Sequence, residues 1–126
     1  LIVAVQHGDK ALVEQLIASG ADVNLASNPD ANPLITAAMV GNLSIAKVLF
    51  EHGAEVNTVV KDDETALINA SRKGHYAMVK FLVEHGADVN LAVEANVIGG
   101  KVLRSPLNGA KTDEVREYLL AHGAKS

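Results

Sequence analysis

The chain of 126 residues has no cysteine and no tryptophan, and only two phenylalanines, two tyrosines and three prolines. Without cysteine there is no disulfide and no cysteine-based zinc site, and the compartment stays open. With four aromatic residues the interior must be filled by aliphatic side chains. A hydrophobic share of 48% supplies them, largely as Ala, Leu and Val. No apolar run approaches the ~20 residues that a membrane-spanning helix needs, so membrane insertion is not expected. No basic run exceeds Arg72-Lys73, and the formal net charge is −4, which argues against a surface that tracks nucleic-acid phosphates. No charged segment precedes the apolar opening Leu1-Ile2-Val3-Ala4-Val5, as it would in a secretory leader. The opening without Met predicts a fragment or a processed form.

What the chain does have is repetition. His85-Gly86-Ala87-Asp88-Val89-Asn90 echoes His52-Gly53-Ala54-Glu55-Val56-Asn57 and Ser19-Gly20-Ala21-Asp22-Val23-Asn24, and a clipped copy, His122-Gly123-Ala124, closes the chain. The glycines are separated by 33, 33 and 37 residues. A fixed period of this size marks a repeat architecture. Upstream of each copy, apolar residues fall at i, i+4 and i+5: Leu12, Leu16 and Ile17; Ile45, Leu49 and Phe50; Met78, Leu82 and Val83. That spacing predicts one apolar helical face ending at the glycine, which takes positive φ without a Cβ clash. Ala, an acid, Val and Asn then predict a loop leaving the helical layer, with Asn stabilising a turn.

A shift of 33 aligns three units without gaps. Leu1, Leu34 and Leu67 share a column, as do Ile2, Ile35 and Ile68, and Gly8, Gly41 and Gly74. Asp9, Asn42 and His75 follow those glycines. Asp and Asn are good helix N-caps there, because the side chain accepts a backbone N–H, and His75 is expected to cap likewise. Each unit therefore reads as a short helix, a glycine turn, a second helix and a loop.

These columns resemble the ankyrin repeat over the whole chain. Asn32-Pro33-Leu34-Ile35-Thr36-Ala37-Ala38, Thr65-Ala66-Leu67-Ile68-Asn69-Ala70-Ser71 with Gly74-His75, and Ser105-Pro106-Leu107-Asn108-Gly109-Ala110 follow the family's opening motif, and the Gly-Ala-Asp-Val-Asn segments follow its close. The resemblance implies an all-α fold: an α-solenoid of stacked helix-turn-helix units with hairpin or loop connectors. It would form a single domain over residues 1–126, with repeats near 1–24, 25–57, 58–90 and 91–126. One such unit cannot bury its apolar face alone, so stacking makes the core.

The departures are equally informative. The motif His of the family is replaced by Ile2, Ile35, Ile68 and Asn108, so its hydrogen bonds are missing or replaced. The hairpin-tip Gly is Asp30 and Asp63. The last unit is irregular: its connector gains seven residues and its helix pair loses three, where the first helix and its glycine turn should be. Thr112 then predicts the N-cap of the last helix, with Asp113 and Glu114 favourable to its dipole. Leu107 should take the buried leucine column. In the enlarged connector, Gly99-Gly100 between apolar β-formers is compatible with a two-residue hairpin turn, or with a plain loop. Val97, Ile98, Val102 and Leu103 would then form an apolar contact surface.

No residue set points to catalysis. His52, His85 and His122 share a column, but equivalent positions on stacked helices lie about 8–10 Å apart, whereas ligands sit about 2 Å from a metal. Their place beside helix-ending glycines fits helix C-termini better. Asp62-Asp63-Glu64 falls at a connector tip, which suits a solvated turn or a partner contact. Gly99-Gly100 lacks the Lys-Ser/Thr ending of a phosphate loop, and no Ser–His–Asp order suggests a nucleophile. No catalytic residue, cofactor or metal is expected.

The resemblance implies a monomeric, non-catalytic module that binds a protein or peptide on its concave face. The family's contact columns carry over to Gln6 and His7; Asn28, Pro29 and Ala31; Met39 and Val40; Lys61, Asp62 and Glu64; and Arg72 and Lys73. Met39 and Val40 would form a greasy centre, unless they pack under the neighbouring connector. Arg72-Lys73 would grip an acidic partner, or else end a helix in solvent. The alternative is a structural or regulatory segment of a larger multidomain protein, beside a catalytic or membrane domain.

Overall fold

The structure, a computed structural model, describes residues 1–26, 32–60 and 65–125. In chain order the elements are α1 (Ile2–Gln6), α2 (Lys10–Ala18), α3 (Pro33–Val40), α4 (Leu43–Glu51), α5 (Ala66–Lys73), α6 (Tyr76–Glu84), β1 (Val93–Val97), β2 (Gly100–Arg104) and α7 (Asp113–Ala121). The first helices α1, α3 and α5 pack side by side as one layer, and α2, α4, α6 and α7 as a second.

Local chemistry sets most helix boundaries. Asp9, Asn32, Asn42, Thr65 and Thr112 accept the N–H of Leu12, Ile35, Ile45, Ile68 and Val115 at 2.8–3.2 Å, each satisfying an orphan donor of the first turn. The last turns end on paired bonds, illustrated by Gly53 N–H to Phe50 C=O at 3.1 Å and Ala54 N–H to Leu49 C=O at 3.0 Å. The same pair recurs at Gly20, Gly86 and Gly123, all at positive φ. This is the Schellman arrangement. It accounts for two columns together: glycine supplies the left-handed residue, and the small Ala that follows turns its N–H back into the helix.

The core lies between the two layers. Leu34, Leu67 and Leu107 are buried in their shared column, and Leu1 is half-buried at the open side of α1. Ile45, Leu49, Met78, Leu82, Val115 and Leu119 bury the matching face of the second helices. Ile35 and Ile68, in the family's His slot, are fully enclosed, so apolar packing replaces the hydrogen bonds a His would make. Asn108 in that slot is exposed and local: Ser105 N–H donates to its Oδ1 at 2.8 Å, and its Nδ2 donates to the Leu103 carbonyl at 2.8 Å. Residues 106–109 form a turn in place of a first helix. That turn docks on the end of α5, where the buried Ser71 hydroxyl donates to the Pro106 carbonyl and Lys111 N–H donates to the Ser71 carbonyl at 3.0 Å.

Two expectations need correction. The all-α description holds for the helix pairs but not for the enlarged connector, which folds as an antiparallel hairpin of β1 and β2. Its two-residue loop is Ile98-Gly99, not Gly99-Gly100, because Val97 pairs with Gly100. Gly99, at φ +96, takes the left-handed position. The second correction concerns His75. It sits at the N-cap of α6 but makes no capping bond; its Nε2 donates to the Met39 carbonyl of the preceding unit at 3.1 Å.

The register also divides the proposed apolar patch. Val97 and Val102 share one face with Val93 and Ala95, whereas Leu103 lies on the other with Glu94, Asn96 and Lys101. Glu94 and Lys101 form an exposed ion pair at 3.6 Å. All residues from Asn96 to Leu103 are exposed. Replacing residues 96–101 with Asn-Gly keeps the pair Ala95–Val102 as the closing rung. We expect this shortened chain to unfold cooperatively within a few degrees of the parent, as followed by circular dichroism. Loss of cooperativity would show the hairpin to be part of the core.

Candidate protein-binding surface

The C-terminal ends of α1, α3 and α5 bring two sequence columns to one end of the first-helix layer. Gln6, Met39 and Arg72 form one column, and His7, Val40 and Lys73 the next. Gln6, His7, Val40, Arg72 and Lys73 are exposed. Val40 stands out as an apolar side chain 48% exposed at a helix end. Met39 behaves differently: it is half-buried and packed against the core. The packing alternative therefore describes Met39, and the exposed apolar position is Val40 alone. Arg72 lies against the turn of the last unit, where a Cβ on Gly109 would come within 2.8 Å of its Cγ. Asn28, Pro29, Ala31, Lys61, Asp62 and Glu64 lie outside the described residues, as do Asp30 and Asp63.

The histidine column has a defined structural task. His52, His85 and His122 each turn Nδ1 onto the carbonyl four residues back, at 2.9, 2.7 and 2.8 Å. They thereby satisfy helix-end acceptors. His85 also packs on the Phe81 and Phe50 rings, and His122 stacks on Tyr118. The Tyr118 hydroxyl is pushed above its ordinary pKa, by desolvation first and then by the charges of Glu84 and Tyr76. It stays protonated at neutral pH and offers no base. Among the described residues, no group of three or more His, Asp or Glu side chains is placed to hold a metal ion. Among the described residues, no helix is long and apolar enough to cross a membrane.

Two features escaped the sequence reading. The first is a set of bridges between units. Asn24 donates Nδ2–H to the Gly53 carbonyl at 3.0 Å and accepts Glu55 N–H at 2.8 Å. Asn57 holds Gly86 and Asp88 in the same way, and Asn90 holds Gly123 and Lys125. Each Asn is a staple to the next unit rather than only a turn residue. The 33-residue recurrence of Asn beside a recurring Gly was the available signal. Asn57→Ala removes two inter-unit hydrogen bonds, and we expect a loss of about 1–2 kcal/mol in urea unfolding. Asn96→Ala, on the exposed hairpin, should cost nearly nothing. Equal midpoints for the two variants would deny the staple its role.

The second is a groove of about 600 Å³ between α4 and α6, with Phe50, Phe81 and His85 among its lining and Lys47, Lys80, Glu51 and Glu84 as its charged residues. It belongs to the second helices, away from the sequence-assigned columns.

The stacked helix pairs, Schellman ends and Asn staples describe a repeat solenoid. The family profile described as ankyrin repeats, in three copies, matches residues 1–92, and the chain belongs to that family. The match stops one residue before β1, where the hairpin begins. A search of curated proteins finds no match to the chain. Ankyrin repeats are generally protein–protein interaction modules, and the family is typically non-catalytic.

Proposed function

We propose that residues 1–126 act as a single, monomeric, non-catalytic domain that holds a protein or peptide partner on its concave face. The contact runs across the second and third units, and the family's contact columns add Asn28, Pro29, Ala31, Lys61, Asp62 and Glu64 to it. The observation that carries this reading is the exposed row at the ends of α1, α3 and α5: Val40 with Lys73 beside it in the next unit. An apolar centre with a charged rim suits a protein partner, the charge setting on-rate and specificity more than affinity. Gln6 and His7 extend the row, and Arg72 adds a second cation.

A Val40→Glu, Lys73→Glu double variant tests the surface in pull-downs from the source cell. Neither side chain belongs to the buried core, so melting should stay native. We expect at least a tenfold loss of the partner recovered by the parent chain. Unchanged recovery would move the contact off this row. A Lys47→Glu variant tested in parallel would then report on the groove between α4 and α6.

A further inference from the structure

The groove between α4 and α6 lies on the second-helix layer, away from the row at the ends of α1, α3 and α5. Its two helices are nine residues each, so it runs about 13 Å, the length of two to three helical turns. The floor is apolar. Phe50 of α4 and Phe81 of α6 meet edge-on with ring centroids 6.0 Å apart, and His85 packs on both. The sequence explains why space remains here. Tyr76 of α6 reaches Tyr118 of α7, with 5.6 Å between centroids, whereas Leu43, one period before Tyr76, is shorter and lines the groove.

The walls carry ordered charge. Lys47 and Lys80 occupy equivalent positions on the two helices, and Glu51 and Glu84 follow one turn later. All four are exposed. Among the described residues, ion pairs form at Lys10–Glu14 and Lys101–Glu94, and none of these four enters one. The pattern is particular to this groove: the same two columns hold Glu14 and Ala18 on α2, and Glu117 and Ala121 on α7. At one end the carboxylates, the rings and the negative ends of both helix dipoles coincide, which suits a cation. One turn earlier, the lysines suit a carboxylate. Four residues span about 6 Å along a helix axis, and a partner helix presents an acid and a base at that same spacing. A nucleic acid would meet the glutamates, and a peptide charged with one sign would be repelled at one end.

We propose that this groove takes an amphipathic helix of a partner protein. Its apolar stripe lies on Phe50 and Phe81, with an Arg between Glu51 and Glu84 and a carboxylate between Lys47 and Lys80. This contact is independent of the one on the concave face and uses none of its residues. The test uses alanine-based helical peptides with leucines at i, i+3, i+4 and i+7, and two charged residues four apart beside that stripe. Two peptides carry Glu and Arg, one in each order, to allow both directions of docking. A third carries two Arg and a fourth two Glu. Fluorescence anisotropy of the labelled peptide reads binding to the chain, and the NMR shift of the His85 ring reads the site.

We expect one mixed-charge peptide to bind about tenfold more tightly than the two-Arg or two-Glu peptide, because exposed ion pairs each add modestly. In a Lys47→Glu, Lys80→Glu variant the walls are acidic throughout. Preference should then pass to the two-Arg peptide, a gain that unfolding cannot produce. The Val40→Glu, Lys73→Glu variant should bind the mixed-charge peptide as the parent does, which separates this contact from the row on the first-helix ends. No binding of either mixed-charge peptide, equal affinity for all four, or binding that leaves His85 unshifted would overturn the proposal. So would a lysine variant that keeps the parent's preference. Self-association of the parent chain that shifts His85 would overturn it as well, because a second copy would then occupy the groove.

Discussion

Leu49→Ala and Leu82→Ala should each lower the unfolding free energy by about 2–5 kcal/mol, the range for truncating a buried leucine. Both side chains are fully enclosed on the inner faces of α4 and α6. Their carbonyls also receive the returning N–H groups of Ala54 and Ala87. Each truncation therefore opens a cavity directly under a helix end. The neighbouring helices are held by the Asn staples, which restricts how far the cavity can collapse. A domain of this size has a total stability of about 5–15 kcal/mol, so either variant should show a clearly lower urea midpoint. Leu120→Ala, on the exposed side of α7, is the matched control and should change little. Parent-like midpoints for both core variants would refute the stacked-layer account.

Gly41→Ala should be the most damaging glycine substitution at a first-helix end. Gly41 and Gly74 adopt nearly the same backbone, φ +77 and φ +75, so an added methyl meets similar conformational strain at both. That strain is about 1–2 kcal/mol for an L-residue in the left-handed region. The surroundings differ. A Cβ at Gly41 would lie 2.9 Å from the His75 ring, whereas at Gly74 the nearest atoms are side-chain carbons of Lys111 and Thr112 at 3.3 Å. Lys111 is exposed and can move aside. His75 cannot do so without giving up its bond to the Met39 carbonyl. Gly41→Ala should therefore exceed Gly74→Ala by about 1 kcal/mol or more, the worth of that hydrogen bond. The excess should vanish in a His75→Ala background, because the cycle removes the contact itself. An excess that persists without the ring would assign the cost to the backbone alone.

The helix ends were legible because their chemistry is local. Asp9, Asn42 and Thr112 bond N–H groups three residues ahead. The glycines at 20, 53, 86 and 123 turn bonds back by three to five residues. The buried leucine column was legible for a related reason: a fixed period places equivalent residues in equivalent layers. The hairpin was only half legible. Its β-formers and glycines were visible, but the turn slipped by one residue because register depends on which cross-strand pairs form.

What only the tertiary structure decided involves partners about thirty residues apart in sequence. Asn24, Asn57 and Asn90 resemble turn residues when read one unit at a time, and become staples only when the next glycine carbonyl is brought alongside. His75 occupies a capping position in sequence, yet it donates to Met39, 36 residues back. Met39 and Val40 are adjacent apolar residues at one helix end, and the helical rotation between them turns one inward and leaves the other in solvent. The sequence by itself determined the repeat, its period and its helix boundaries, because these follow from bonds within a single turn. Which side chains join one unit to the next, and which remain exposed, was decided by the stacking, because those contacts exist only after the units have met.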